Sequence, residues 1–128
     1  MTKIQEEIFE HLKAQGLVPS IDQDGDITFK YQMLTFAVIF SKGDDQFLRI
    51  VLPNIFESDD NNRVDVLEAC NTVSSKIKVA KCIITPHNRV WIMTEQLLDQ
   101  TPAYDDVIPR SLKILLDAYR LFDRTMEE

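Results

Sequence analysis

The first segment of the chain has apolar residues at the spacing of one helix face. These residues are Ile4, Ile8, Phe9 and Leu12. Thr2 and Gln5 have the separation of a reciprocal capping box, in which each side chain bonds the backbone of the other residue. Gly16 is placed to end the helix, because glycine adopts the left-handed conformation without a steric penalty. The sequence therefore predicts a helix from about residue 2 to residue 15.

From residue 26 to residue 52 the apolar repeat changes to two, as in strands with one buried face. The positions expected on that face are Ile27, Phe29, Tyr31, Leu34, Phe36, Val38, Phe40, Leu48, Ile50 and Leu52. Short connections between these runs favour a three-strand antiparallel meander, with Pro53 at its end. A shorter strand near 18–22 is placed to pair with the strand that follows it. The apolar face predicts helices packed on one side of the sheet.

A second helix and a hairpin are predicted in the middle of the chain. The helix opens with a polar cap at residues 60–62, and its expected inner residues are Val66, Leu67, Cys70, Val73 and Ile77. The hairpin follows in the segment KVAKCIITPHNRVWIMTEQLL. Its turn, TPHNR, contains Pro86 and Asn88, both common turn residues. The segment thus supplies two more antiparallel strands.

The last segment predicts the longest helix. Asp105 or Asp106 is expected to cap it, and Pro109 is expected in its first turn. Its apolar stripe consists of Ile108, Leu112, Leu115, Leu116, Tyr119 and Phe122. The resulting order is helix, three-strand meander, helix, hairpin, helix. We therefore predict the α+β class: a two-layer sandwich, with an antiparallel sheet and helices mainly on one face, formed by residues 1–128 as one domain.

Composition and charge exclude several classes of partner. The chain carries a net charge of −7, so it lacks the basic surface with which proteins neutralise nucleic-acid phosphates or anionic membranes. No apolar run approaches the roughly 20 residues needed to cross a bilayer. Neither a signal peptide nor a disulfide framework is expected, because the start is amphipathic and contains acids, and only two cysteines occur. We expect a cytoplasmic protein that binds proteins, itself or small molecules.

The segment DQDGD raises the possibility of a calcium site. An EF-hand loop that began at Asp22 would need glycine at its sixth position and glutamate at its twelfth, but Ile27 and Met33 occupy those positions. Asp24 and Gly25 instead lie between two alternating runs, which is the pattern of a hairpin turn. We expect a turn and no metal.

The sequence offers little support for catalysis. His11 is expected on the surface near the end of the first helix, and His87 at a hairpin tip. Cys70 and Cys82 lie on apolar faces, where a free thiol is usually an inert core residue. The chain contains no C-x-x-C, G-x-S-x-G, H-E-x-x-H or glycine-rich phosphate loop. We predict no catalytic residue, no cofactor and no enzyme activity.

Four residues are candidates for structural or binding roles. Asn71 borders the buried stripe of the second helix, where its amide is expected to make a structural hydrogen bond. Trp91 and Met93 share one strand face, opposite Val90 and Ile92. If helices cover one side of the sheet, one of these pairs faces outward and can bind a partner. Trp91, Met93 and Phe47 are the candidate contacts, although Trp91 fits equally well beneath a loop or a helix end.

Several segments resemble the YbjN-like family of small bacterial domains. They are GLVPSIDQDGDITFKY, LRIVLPNIF, VLEACNTVSSKIKVAKCII and VWIMTEQLL, followed by a long C-terminal helix. The family is associated with the fold of type III secretion chaperones, so the resemblance implies a non-enzymatic, often dimeric module that binds proteins or influences regulation. Relatives often carry a second asparagine three residues after the position of Asn71, where this chain has Ser74.

The leading functional prediction is a cytoplasmic protein-binding or regulatory module, homodimeric, with a protein or a second copy of itself as partner. A charged residue in place of Trp91 is expected to abolish association and leave the monomer folded. The alternative is a small-molecule-binding domain with a pocket between sheet and helices, in which Asn71 is one of the convergent polar groups.

Overall fold

The computed structural model describes residues 1–128 and contains three helices and six strands. In chain order they are α1 (Lys3–Ala14), β1 (Ser20–Ile21), β2 (Ile27–Tyr31), β3 (Leu34–Ile39), β4 (Phe47–Glu57), α2 (Arg63–Lys76), β5 (Ala80–Ile84), β6 (Arg89–Leu97) and α3 (Tyr104–Glu127). All neighbouring strands are antiparallel, and they form one sheet in the order β1-β2-β3-β4-β6-β5. The predicted α+β class is confirmed.

Local sequence features set both ends of α1 as predicted. Thr2 Oγ1 accepts a hydrogen bond from the Gln5 backbone at 3.3 Å, and Gln5 Oε1 accepts one from the Thr2 backbone at 2.6 Å. Gly16 has a φ of 86° and ends the helix. Ile4, Ile8 and Leu12 are buried, and Phe9 packs at their border. The capping box and the apolar stripe are confirmed.

The loops of two hairpins share one geometry. In the first, the Gly25 N–H bonds the Asp22 carbonyl oxygen and the Asp22 N–H bonds the Asp26 carbonyl oxygen. In the second, the Asn88 N–H bonds the Thr85 carbonyl oxygen. Gly25 and Asn88 have φ values of 85° and 62°, as expected for the last residue of a three-residue hairpin loop. The DQDGD segment and the TPHNR segment are therefore turns, as predicted.

Strand β4 continues beyond the predicted stop at Pro53, to Glu57. The register of β4 against β6 shifts between Leu52 and Phe56, and Asn54 in this interval has a φ of 54°. A bulge accommodates proline because the strand is locally unpaired there. The predicted boundary at Pro53 was wrong, because an irregular pairing lets the chain pass through the proline without losing a ladder bond.

Helix α2 is rotated from its predicted orientation. Leu67 is 47% exposed, whereas Ala69 is fully buried beside Val66, Cys70 and Val73. Leu67 was therefore wrongly assigned to the inner stripe, because a small alanine allows the helix to approach the sheet closely. Within the predicted cap, Asn62 lies at the helix start but its side chain accepts from the Asp59 backbone instead of the helix.

Helix α3 begins at Tyr104, one residue before the predicted cap. Ala103 is the N-cap and makes no side-chain bond, so Asp105 and Asp106 lie inside the first turn. There they interact favourably with the positive end of the helix dipole. Pro109 consequently lies beyond the first turn, contrary to expectation. The predicted stripe is confirmed, with Ile108, Leu112, Leu115 and Phe122 buried and Leu116 and Tyr119 packed at its border.

All three helices pack on the same face of the sheet. One apolar cluster joins inner residues of α1, α2 and α3 to residues of β2 through β6. The buried strand positions alternate as predicted, with Ile27 and Phe29 on β2 and Phe36 and Val38 on β3. No helix combines the length and the apolar character needed to span a bilayer.

Candidate functional site

The face of the sheet opposite the helices remains open and carries a mixed apolar and charged surface. We call it the open face, defined by Ala37, Ile39, Phe47, Arg49, Val51, Lys81, Ile83, Trp91, Met93, Glu95 and Leu97. The register pairs these residues across strands, as in Ala37 with Val51, Val51 with Met93 and Met93 with Lys81. Because side chains alternate along each strand, the inward partners of this set are the core residues. The open face is thus the part of the sheet that the helices leave uncovered.

An ion cluster occupies the middle of the open face. Arg49 Nε and Nη2 both donate to Glu95 Oε2, at 2.9 and 2.7 Å, and Lys81 Nζ donates to Glu95 Oε1 at 2.9 Å. The bond from Lys81, and then that from Arg49, hold the pKa of Glu95 below its usual value although partial burial opposes this. The three residues come from β4, β5 and β6, so strand pairing alone brings them together.

The hairpin end of the open face contains a groove of about 520 Å³. Trp91 and Ile83 face each other across β6 and β5 and supply apolar walls. Trp91 Nε1 donates to Asn54 Oδ1 at 3.0 Å, which fixes the indole ring. Asn54 reaches this position from the bulge of β4, so the irregular strand orients the aromatic side chain. Arg89 lines the same groove.

The opposite end of the open face is apolar and exposed. Phe47 and Leu97 are paired across β4 and β6, and Leu97 is 87% exposed. The Arg49 guanidinium lies 5.1 Å from the centre of the Phe47 ring, within cation–π distance. Leu97 lies six positions after Trp91 on β6, which corresponds to about 20 Å along the strand. The two ends are therefore distinct surfaces.

The structure places the three candidate contacts Trp91, Met93 and Phe47 on this one face. Trp91 and Phe47 are partly exposed, but Met93 is only 5% exposed. Val51, its cross-strand neighbour, is fully buried although no helix covers it. Flanking side chains of the open face must supply this cover. Met93 therefore packs beneath the surface of the open face and offers little area for contact with a partner. The sequence did not identify the ion cluster, Ile83 or Asn54, because their proximity depends on strand register.

Asn71 lies apart from the open face. It is exposed on α2, and its amide makes no hydrogen bond within the chain. The bond at this passage from helix to strand is made by Ser74, whose Oγ accepts from the Cys82 backbone at 3.0 Å. Ser74 lies three positions after Asn71, which is nearly one helical turn along α2. This shift along the helix axis brings the side chain of Ser74, and not that of Asn71, to β5. Ser74 therefore makes the kind of structural hydrogen bond that was expected of Asn71.

His11 is buried, contrary to the predicted surface position. It is 9% exposed, and its Nδ1 lies 3.2 Å from Asp105 Oδ1 on α3. The start of α3 covers this end of α1, which sequence spacing within α1 could not show. His11, Tyr31 and Ile108 line a recess of about 130 Å³ where α1, β2 and α3 meet. The Nε2 atom of His11 is buried without a hydrogen-bond partner.

The aspartates of the DQDGD turn form hydrogen bonds within the loop. Their carboxylate oxygens lie within 4.8 Å of one another. Asp22 Oδ1 accepts from the backbones of Asp24 and Asp26 at 2.9 and 3.0 Å, and Asp26 Oδ1 accepts from the Phe40 backbone at 3.3 Å. Partial burial raises the pKa of Asp26, and the neighbouring carboxylates add to this effect. The cluster is thus organised around the backbone of the turn.

The remaining reactive side chains are two cysteines in the core and one histidine at a hairpin tip. Cys70 and Cys82 are free, buried thiols on α2 and β5. Contact with Cys70, and then burial, raise the pKa of Cys82, so its thiol stays protonated. His87 is exposed at the hairpin tip, as predicted.

Comparisons with known proteins identify the fold. No protein-family model and no curated protein matches the sequence. An uncharacterised protein from Methanothermobacter thermautotrophicus has a similar solved structure, with a TM-score of 0.70, 14% identity and coverage of 97% of this chain and 96% of that one. YbjN from E. coli, described as a proposed transcription regulator, has a TM-score of 0.69 at 6% identity, covering 91% of this chain and 87% of that one. The expected YbjN-like fold is therefore confirmed.

Proposed function

We propose that this chain is a non-enzymatic module that binds proteins, in a regulatory role, through the open face of its sheet. The observation that carries the proposal is the covering of the sheet on one side only, which leaves Trp91, Ile83 and Leu97 without helical cover. Apolar surface of this kind, bordered by charged groups, is typical of interaction sites. The two structural relatives, one uncharacterised and one a proposed regulator, are consistent with this role.

The Phe47 and Leu97 end supports self-association. Leu97 is the most exposed apolar residue of the open face, and Phe47 lies directly across from it. A standard interface buries about 800 Å² on each partner. The whole chain exposes 8002 Å², so a patch of about one tenth of the surface is sufficient. We propose a homodimer through this end. We further propose that residues 1–128 form one domain and that the protein is cytoplasmic, because free thiols persist in that compartment.

The small-molecule alternative has weaker support. The recess between the sheet and the helices at His11 has a volume of about 130 Å³, whereas small-molecule sites usually measure about 300–1,000 Å³. Asn71, the polar group expected in such a pocket, is exposed on α2. The geometry therefore favours binding on the open face.

Light scattering on the purified protein tests the dimer. The wild type is expected to have twice the monomer mass, and Leu97→Lys is expected to be monomeric, because the substitution places a charge in the proposed contact. Leu97 is 87% exposed, so its replacement leaves the core unchanged. Leu67→Lys is the matched control, since Leu67 is exposed on α2 at the other side of the molecule. A monomeric wild type at about 100 µM, well above the Kd of a standard interface, would exclude the dimer.

Affinity capture from the source lysate tests protein binding. Wild type and Leu67→Glu are expected to retain the same stoichiometric partner, whereas Trp91→Glu is expected to lose it. Circular dichroism must show that Trp91→Glu is folded, because its indole bonds Asn54. A partner that remains bound to a folded Trp91→Glu variant would show that the open face is not the binding site.

A further inference from the structure

We propose that the groove at the hairpin end of the open face binds an acidic peptide segment that carries an apolar side chain. This inference rests on the proposed function and specifies the chemistry of the partner. The groove contains Trp91 and Ile83 as apolar walls and Arg49, Lys81 and Arg89 as cations. The groove therefore presents apolar and cationic side chains next to each other.

Charge complementarity identifies the partner as acidic. The groove is lined by three cationic side chains and one carboxylate, Glu95, in a chain whose net charge is −7. Such a local reversal of sign attracts anionic groups and repels basic ones, so it selects partners by charge. An acidic segment therefore gains attraction in the groove, whereas the rest of the chain repels it.

The cations keep donors for a ligand. Arg49 uses Nε and Nη2 on Glu95, which leaves Nη1 free, and Lys81 uses one of its three ammonium protons. Arg89 Nη2 lies 3.8 Å from the exposed carboxylate of Glu57. This distance is too long for a hydrogen bond, so the guanidinium of Arg89 makes none. Carboxylates of a bound peptide can accept from all three side chains without breaking the ion cluster.

The apolar part of the groove requires an apolar peptide side chain. The bond from Trp91 to Asn54 holds the indole in one orientation, so little side-chain entropy is lost on binding. A tryptophan held in one orientation beside an apolar neighbour is a common anchor of protein contacts. The volume of about 520 Å³ accommodates one or two side chains. Leucine or phenylalanine next to acidic residues meets both requirements.

The peptide lies across the open face instead of extending the sheet. The edge strand next to the groove is β5, and the N–H of Cys82 at its centre already donates to Ser74 Oγ. Strand addition needs that edge to be free. Recognition therefore depends on side chains of the open face, which makes it sensitive to their charges.

Intrinsic fluorescence tests the inference directly, because Trp91 is the only tryptophan in the chain. The probe is a twelve-residue peptide of Glu and Leu in alternating pairs, compared with versions in which Gln or Lys replaces Glu. The acidic peptide is expected to change Trp91 emission saturably. Its affinity should fall about tenfold between 50 and 500 mM NaCl, because the added salt screens the charge pairs.

Paired substitutions assign the binding to the groove. Lys81→Gln combined with Arg89→Gln is expected to weaken the acidic peptide about tenfold, the effect of removing two surface ion pairs. Arg110→Gln combined with Arg120→Gln is the control, because both arginines are exposed on α3. Equal affinity for the Gln peptide, tighter binding of the Lys peptide, or no emission change with any of the three would overturn the inference. A partner captured through Trp91 would still support the proposed function in each of these cases.

Discussion

Ser74→Ala is the substitution that best tests how the structure protects the edge of its sheet. The Cys82 N–H on edge strand β5 donates to Ser74 Oγ at 3.0 Å in a partly buried position. Removal of the hydroxyl leaves that N–H without its partner, which costs about 1–2 kcal/mol for a partly buried donor. Alanine returns about 0.5 kcal/mol through its higher helix propensity. The net loss in the free energy of unfolding is therefore about 0.5–1.5 kcal/mol.

Ser75→Ala is the control that separates the bond from Ser74 to Cys82 from the change in helix propensity. Ser75 is the next residue of α2 and its hydroxyl donates only to the Thr72 carbonyl in the same helix. Such local bonds contribute little to helix stability. The helix-propensity gain is about the same in both variants, so their difference of about 1–2 kcal/mol measures the bond to Cys82. A difference of this size corresponds to roughly 3–5 °C in Tm per kcal/mol for a chain of this length.

Urea unfolding followed by circular dichroism measures both free energies, with equal m values as the check on two-state behaviour. Hydrogen exchange of the Cys82 amide gives an independent local reading, and protection should fall in Ser74→Ala only. If the two variants agree within 0.3 kcal/mol and the Cys82 amide keeps its protection, Ser74 does not hold the edge of the sheet.

Two further predictions concern charged and polar side chains. Glu95→Gln should lower stability most at neutral pH, because the depressed pKa of Glu95 stabilises the fold above the unfolded pKa. The gap from wild type should close as pH falls through the folded pKa; a constant gap in urea unfolding contradicts this. His11→Leu should raise the free energy of unfolding by about 0.5–1 kcal/mol, because it removes the buried, unpartnered Nε2. A loss above 1 kcal/mol would show that the contact between His11 Nδ1 and Asp105 stabilises the fold.

Local patterns allowed most elements to be predicted from the sequence. The capping box of Thr2 and Gln5 and the loop at Gly25 were found because each depends on residues within a few positions. The prediction failed where packing outweighs local preference. Leu67 is exposed because Ala69 takes the inner position, and β4 continues through Pro53 because a bulge removes the need for its N–H.

The turn between β2 and β3 shows the same limit. Gln32 and Met33 both have positive φ values, of 52° and 67°, although neither is glycine or asparagine. This strained conformation costs about 1–3 kcal/mol at each residue. It persists because Tyr31 pairs with Leu34 and the two strands then bury their inner faces against the helices. Tertiary packing, and not turn propensity, determined this loop.

The sequence by itself determined the elements and the inward face of most of them, because alternation and helical spacing are local properties. Only the tertiary structure decided that β4 pairs with β6 and leaves β5 at the edge. That pairing brings Arg49 to Glu95 across 46 positions of sequence and Trp91 to Asn54 across 37. The candidate binding face consists of such contacts. These contacts could not be predicted from the sequence, because the register between distant strands depends on how the whole core packs.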